Sequence, residues 1–235
     1  MPAGPFHVNS RGACIYCGTT DTALSDEHVV PYSLGGSHVL RHASCGRCAD
    51  ITKKFEQAVA RDLWGDARTA FDAPSRRKSR RKKMLTLPGG GSDNRPVAIP
   101  AAEYPAGFVF YKMCQAGLLQ GLPTNVDLSG SWQLVVIDDD GRRKKFLTKY
   151  PRIALTLKFR HVPQAFGRLL AKIGYGHVLT QLDPGDFAQY VFRIFSVATR
   201  ISPISLAAPP RRKPRSQVSV TLSRRLASVA PIESP

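Results

Sequence analysis

Two C-x-x-C pairs, CIYC at 14–17 and CGRC at 45–48, dictate more about this chain than any other stretch of it. Gly18 follows the first pair and Gly46 interrupts the second, and glycine permits the tight turn that exposes both sulfurs of a knuckle to one ion. Together Cys14, Cys17, Cys45 and Cys48 supply a closed tetrahedral thiolate site, which suits structural zinc and leaves no open position for chemistry. Residues 18–44 are more than a minimal zinc ribbon needs, so something is inserted between the knuckles. The fifth cysteine, Cys114, lies in the apolar stretch FVFYKMCQAG and reads as a small core hydrophobe. An odd cysteine count argues against a complete disulfide set. With no apolar signal core at 1–10 and no membrane-spanning run, the protein is expected in the cytoplasm, where a cysteine cluster points to metal before disulfides.

A composition of 43% hydrophobic and 22% charged residues is ordinary for a soluble protein, but a net charge of +17 is not. Such an excess repels itself unless a polyanion compensates it. Arg76, Arg77, Lys78, Arg80, Arg81, Lys82 and Lys83 place seven positive charges in one short run, and 201–235 sets six basic residues against Glu233. Removing these seven and the net five of the tail from +17 leaves only five for the rest. The excess therefore sits in two arms, suited to phosphate contacts that release counterions and give affinity without sequence choice. A solvated linker or a localisation tag is the plainer use of such runs.

Between the knuckles lies SDEHVVPYSLGG at 25–36. Glu27 and His28 are neighbours, and on an extended strand their side chains leave opposite faces, so a shared task needs something between them. The order of knuckle, short strand, Glu-His, Val-Val-Pro, Gly-Gly, knuckle and helix resembles the HNH endonuclease family, whose ββα-metal core is often clamped by a zinc ribbon. CIYCG at 14–18, DEHVVPYSLGG at 26–36 and SCGRCADITKKFE at 44–56 carry the resemblance. It implies hydrolysis of phosphodiester bonds in DNA, double-stranded by expectation. His28 stands where that family keeps its general base, and Glu27 at the position that holds a catalytic Mg2+ or Mn2+. The family usually places His or Asn directly after the last cysteine. Here Ala49 occupies that place, so Asp50 is the nearest oxygen donor for the ion, and Glu56 is either a further acidic candidate or a solvated helix charge. An Asn commonly orients the base histidine. Leu40 stands near its place, so His42 or a backbone carbonyl would orient His28 instead, while His38 reads as a surface histidine of the turn.

The apolar positions Ile51, Phe55, Ala58, Val59 and Leu63 predict a helix over 50–63 that Gly65 ends. Residues 1–12 read as a tail, 13–72 as the zinc-clamped nuclease domain and 73–98, with LPGGGSDNRP, as a basic flexible linker. A second small domain is expected over 99–200: SWQLVVID and RKKFLTK flank DDDG as a hairpin, IALTLKF gives a third strand, and Pro163 opens a helix. On that helix Phe166, Leu169, Leu170 and Ile173 share the apolar face, and Arg168 and Lys172 lie on the polar side, as solvent-facing charges or nucleic-acid contacts. A last helix is expected within PGDFAQYVFRIFSVA, and 201–235 reads as a disordered basic tail. The fold class is α+β.

Two functions from different classes compete. The Glu-His-x-x-Pro insertion favours a metal-dependent nuclease, because a bare zinc ribbon has no need of it. The missing Asn and Ala49 favour a catalytically inactive zinc-dependent module that binds nucleic acid.

Overall fold

The computed structural model describes residues 6–76, 83–87, 95–123, 126–153, 155–183, 186–187 and 217–221. Strands and helices are mixed, as an α+β chain requires. The chain divides into two compact units: Met1–Val59 with Ala165–Arg215, and Ala60–Gln164 with Ser216–Pro235. Most of the helix opened by Pro163 therefore belongs with the knuckles.

In the first unit, β1 (Phe6–Val8), β2 (Leu24–His28) and β3 (His38–Cys45) form one sheet in the order β1-β3-β2. β1 runs parallel to β3, and β2 antiparallel. Leu24 pairs with Cys45 and Ser25 with Ser44; the register then shifts, so that Glu27 pairs with Leu40 and His28 with Val39. Residues 41–43 thus oppose Asp26 alone, a bulge whose extra residues kink the strand and re-aim its side chains. Asp26 stabilises it by accepting the His42 N–H at 3.0 Å, with His42 held at φ 44°. Beyond the bulge Glu27 and Val29 face inward and are buried, and His28 is half-buried.

The connection from β2 to β3 depends on the Gly-Gly pair. Gly35 closes the turn Tyr32–Leu34 at φ 89°. A Cβ at Gly36 would stand 1.8 Å from the Val30 carbonyl oxygen, so no other residue fits there without moving backbone. From Cys45 the chain enters α1 (Gly46–Gln57), which packs on β2 and β3 and buries Cys48, Thr52 and Phe55. The helix starts four residues before the expected Asp50, with Cys45 in extended backbone at its N-cap position. It continues as a π-helical segment, Ala58–Leu63, and stops at Trp64 as expected near Gly65.

α4 (Pro163–Val178) runs through Gly174 and Gly176. Its Gly176 lies so close to Val29 that a Cβ would meet that side chain at 3.1 Å. Phe166, Leu169, Lys172 and Tyr175 are buried at a spacing of three, one stripe of the helix. Lys172 is 1% exposed, which corrects its placement on a polar, solvent-facing side; Arg168 is half-buried. The Tyr175 hydroxyl donates to the Ile15 carbonyl at 2.7 Å, and Arg11 donates to the Leu179 and Leu182 carbonyls at 2.6 and 2.8 Å, so the first knuckle is bound to the end of α4.

The second unit holds α2 (Gly65–Ala70), the hairpin β4 (Met84–Leu87) with β5 (Val97–Pro100), the pair β6 (Phe108–Lys112) with β7 (Gln133–Ile137), α3 (Asp140–Lys149), and β8 (Thr156–Arg160) with β9 (Gln217–Thr221). Its core joins Ala67, Ala70, Ile99, Tyr104, Ala106, Phe146, Ile153 and Leu155. Four expectations are corrected here. The stretch after DDDG is helix and not strand, because Asp139 caps it by accepting the Arg142 N–H at 3.1 Å and Phe146, Leu147 and Tyr150 then meet the core on one face. The partner of β7 is β6. Linker residues 84–87 and 97–98 are paired strand, since MLTL and VAIP carry enough apolar side chains to pack. Tail residues 217–221 pair with β8. Cys114 lies past the end of β6 and is exposed, its sulfur 3.4 Å from the Ser131 hydroxyl. The helix expected within 184–198 falls almost wholly outside the described residues, as do 77–82 of the basic run and most of the tail.

Candidate functional site

The two knuckles meet because the strand register brings them together. Gly18 donates to the Cys14 carbonyl at 2.8 Å with φ 72°, closing the first turn, and Ile15 donates to the Ala43 carbonyl at 2.8 Å, which ties that turn to β3. Cys45 ends β3 and precedes α1, so Cys45 and Cys48 both sit at a helix N-terminus, whose partial positive charge favours thiolate. The four sulfurs lie within 4.8 Å of one another, and Cys17 and Cys45 are 3.7 Å apart. Tetrahedral zinc with Zn–S bonds of about 2.3 Å needs sulfurs about 3.8 Å apart, so the residues fit that ion. The Cys45 N–H also donates to the Cys14 sulfur at 3.4 Å. Burial opposes ionisation of Cys45, but hydrogen bonds led by the Cys48 backbone N–H outweigh it and pull its thiol down to about 7. Cys48 is pushed far up by burial and then by its neighbouring sulfurs, as expected where four thiols crowd one point before a cation relieves them.

Two residues beyond the bulge, β2 ends on His28, whose ring lies 5.8 Å from that of Tyr32. Its carbonyl accepts from the Lys172 ammonium at 2.6 Å. The same ammonium is 2.6 Å from Glu27 Oε1 and 2.6 Å from Glu56 Oε1. Burial pushes the Glu27 carboxyl up, and Lys172 works against that rise. The Tyr16 hydroxyl is raised by burial first and then by Glu27 and Glu56, which places it near both carboxylates.

Residues 14–63 match the family model described as HNH endonuclease. No curated protein and no solved structure matches the chain. The match spans both knuckles, β2, β3 and α1, and points to a nuclease-type or nucleic-acid-related function for this HNH segment.

Within the HNH segment, His42 lies at the bulge. Its Nδ1 is 3.3 Å from the Leu24 carbonyl, its N–H donates to Asp26 and its own carbonyl accepts from Ser10. Leu40, at the place of the family Asn, is buried opposite Glu27 and offers only a hydrocarbon side chain. Asp50 is exposed on α1 and Ala49 is half-buried. Among the described residues, the group of three or more His, Cys, Asp or Glu side chains close enough to hold an ion is the four cysteines; Glu27, His28 and Asp50 form no such group. A divalent ion on Glu27 therefore does not fit the arrangement in which Lys172 already holds that carboxylate. His38 lies between Phe6 and His177, at 5.3 and 5.9 Å. Of the basic run, Arg76 and Lys83 are described; Arg77, Lys78, Arg80, Arg81 and Lys82 lie outside the described residues.

Sequence reasoning named Glu56 as an acidic candidate and placed Lys172 on the polar side of its helix; what it missed is that the Lys172 ammonium pairs with Glu27 and Glu56. The available signal was the spacing of Phe166, Leu169, Lys172 and Tyr175, which puts the lysine on the apolar stripe, where a charge requires a buried partner.

Proposed function

We propose that this chain is an HNH-type endonuclease that hydrolyses phosphodiester bonds in double-stranded DNA with His28 as general base. The observation that carries the reading is the anchoring of His28: a half-buried imidazole at the end of β2, in the segment that the two cysteine knuckles bracket, on a backbone held by a buried ammonium at 2.6 Å. An imidazole exchanges its proton near working pH, so it can take one from water as that water attacks phosphorus in line. The new P–O bond forms as the bond to the 3′ oxygen breaks and a solvent water protonates that oxygen, leaving a 5′-phosphate and a 3′-hydroxyl. A zinc ion on Cys14, Cys17, Cys45 and Cys48 would tie the first knuckle to the junction of β3 and α1 and would take no part in this step.

The basic run at 76–83 would contact the phosphate backbone of the bound DNA. The requirement for Mg2+ or Mn2+ that the family resemblance implies is a separate question. Supercoiled plasmid incubated with zinc-loaded protein, with each ion and with none added, addresses both. Nicking or linearisation supports the nuclease and reports the ion it needs. Retarded but uncut plasmid under every condition supports the second reading, a zinc-dependent binding module, which the apolar Leu40 and the engaged carboxylate of Glu27 favour.

A further inference from the structure

Lys172 has the coordination of a bound cation. Its ammonium has three donors, and three oxygens receive them at 2.6 Å: one from Glu27, one from Glu56 and the carbonyl of His28. Two carboxylates and a carbonyl converging on one buried point are the oxygen set that a hard divalent ion takes. Here the positive charge arrives on the chain itself, from α4. A divalent ion bound to the same Glu27 oxygen would stand against the ammonium with no water between to screen it, since Lys172 is 1% exposed.

We propose that Lys172 is a tethered cation that replaces a divalent metal between Glu27 and Glu56, so that this pair binds no free metal in the native chain and becomes a metal site when the ammonium is removed. Cation binding at this pair in the absence of DNA is independent of whether the protein cuts. Lys172 is a positioning residue, since the ammonium fixes the carbonyl of His28 without touching any substrate. Removing the charge leaves the buried carboxylate of Glu27 and the half-buried one of Glu56 facing one another across the space the ammonium filled, which a divalent ion neutralises better than water does.

Mn2+ titrated into zinc-loaded full-length protein, with free Mn2+ followed by its paramagnetic resonance, tests this directly. Native protein and Glu27→Gln are expected to give the same binding curve. Lys172→Met, close in shape and uncharged, is expected to gain one Mn2+ site with a midpoint at least tenfold lower than any in the native chain, and Lys172→Met/Glu27→Gln to lose it. A Mn2+ site in native protein that Glu27→Gln abolishes overturns the proposal, as does a zinc-loaded Lys172→Met with native circular dichroism that binds no additional ion. The first comparison needs no lysine variant, so the proposal remains falsifiable if Lys172→Met does not fold.

Discussion

At the scale of single residues, the spacing of like atoms is what made this site readable. The knuckle cysteines announce themselves because metal ligands must recur at fixed short intervals, and Glu27 and His28 because they sit in one short segment between them. Lys172 gives no such notice: its partners lie far back in the chain, and a lysine flanked by Leu169, Leu170 and Ile173 is read as a solvent charge unless the helix phase is known. Its burial makes a sharp prediction. Lys172→Ala leaves Glu27 and Glu56 without their cation, and breaking a buried pair in this way costs about 3–5 kcal/mol, measured as the shift in urea unfolding of the zinc-loaded protein. Lys172→Arg keeps the charge and is expected to lose less. A cost within 0.5 kcal/mol of zero for the alanine variant would mean that the ammonium is not held as described.

Elements show why part of the fold escaped the sequence. Asp-Asp-Asp-Gly is equally good chemistry for a tight hairpin and for a helix cap, and the choice was made by Phe146, Leu147 and Tyr150, whose spacing suits a helix lying on the Ala70 and Ile99 core. Asp139→Ala removes the cap and should lower stability by about 1 kcal/mol, seen as a lower thermal midpoint, while Asp139→Asn should lose little. MLTL and VAIP are too short to announce a hairpin across a glycine-rich stretch, and only their pairing reveals them. The Gly-Gly turn was legible as a turn, but its strict need for glycine was not. Gly36→Ala drives a Cβ into the Val30 carbonyl and is expected to cost on the order of 3 kcal/mol and to reduce zinc retention, whereas Gly46→Ala, with open space around its Cβ, should be tolerated. Equal zinc content in the two variants would contradict this account of the β2–β3 connection.

For the whole molecule, the zinc centre and the charge excess make independent predictions. The first unit has one small sheet, α1 and most of α4, too little burial to be indifferent to its metal, so chelation should unfold it cooperatively and zinc should restore it. Loss of β-sheet signal should track zinc release, and retained structure in a metal-free sample would remove the ion from its structural role. Replacing the seven basic residues at 76–83 by Gln should weaken DNA binding and flatten its dependence on salt, by up to about 6 in the log–log slope if each contacts one phosphate. The central claim is that His28 is the base of a phosphodiester hydrolase. It is tested most directly by the rate of supercoiled plasmid cleavage for native protein and His28→Ala, matched for zinc content and DNA affinity. The account predicts a loss of at least about 100-fold with binding unchanged. Equal cleavage by the two proteins would contradict it.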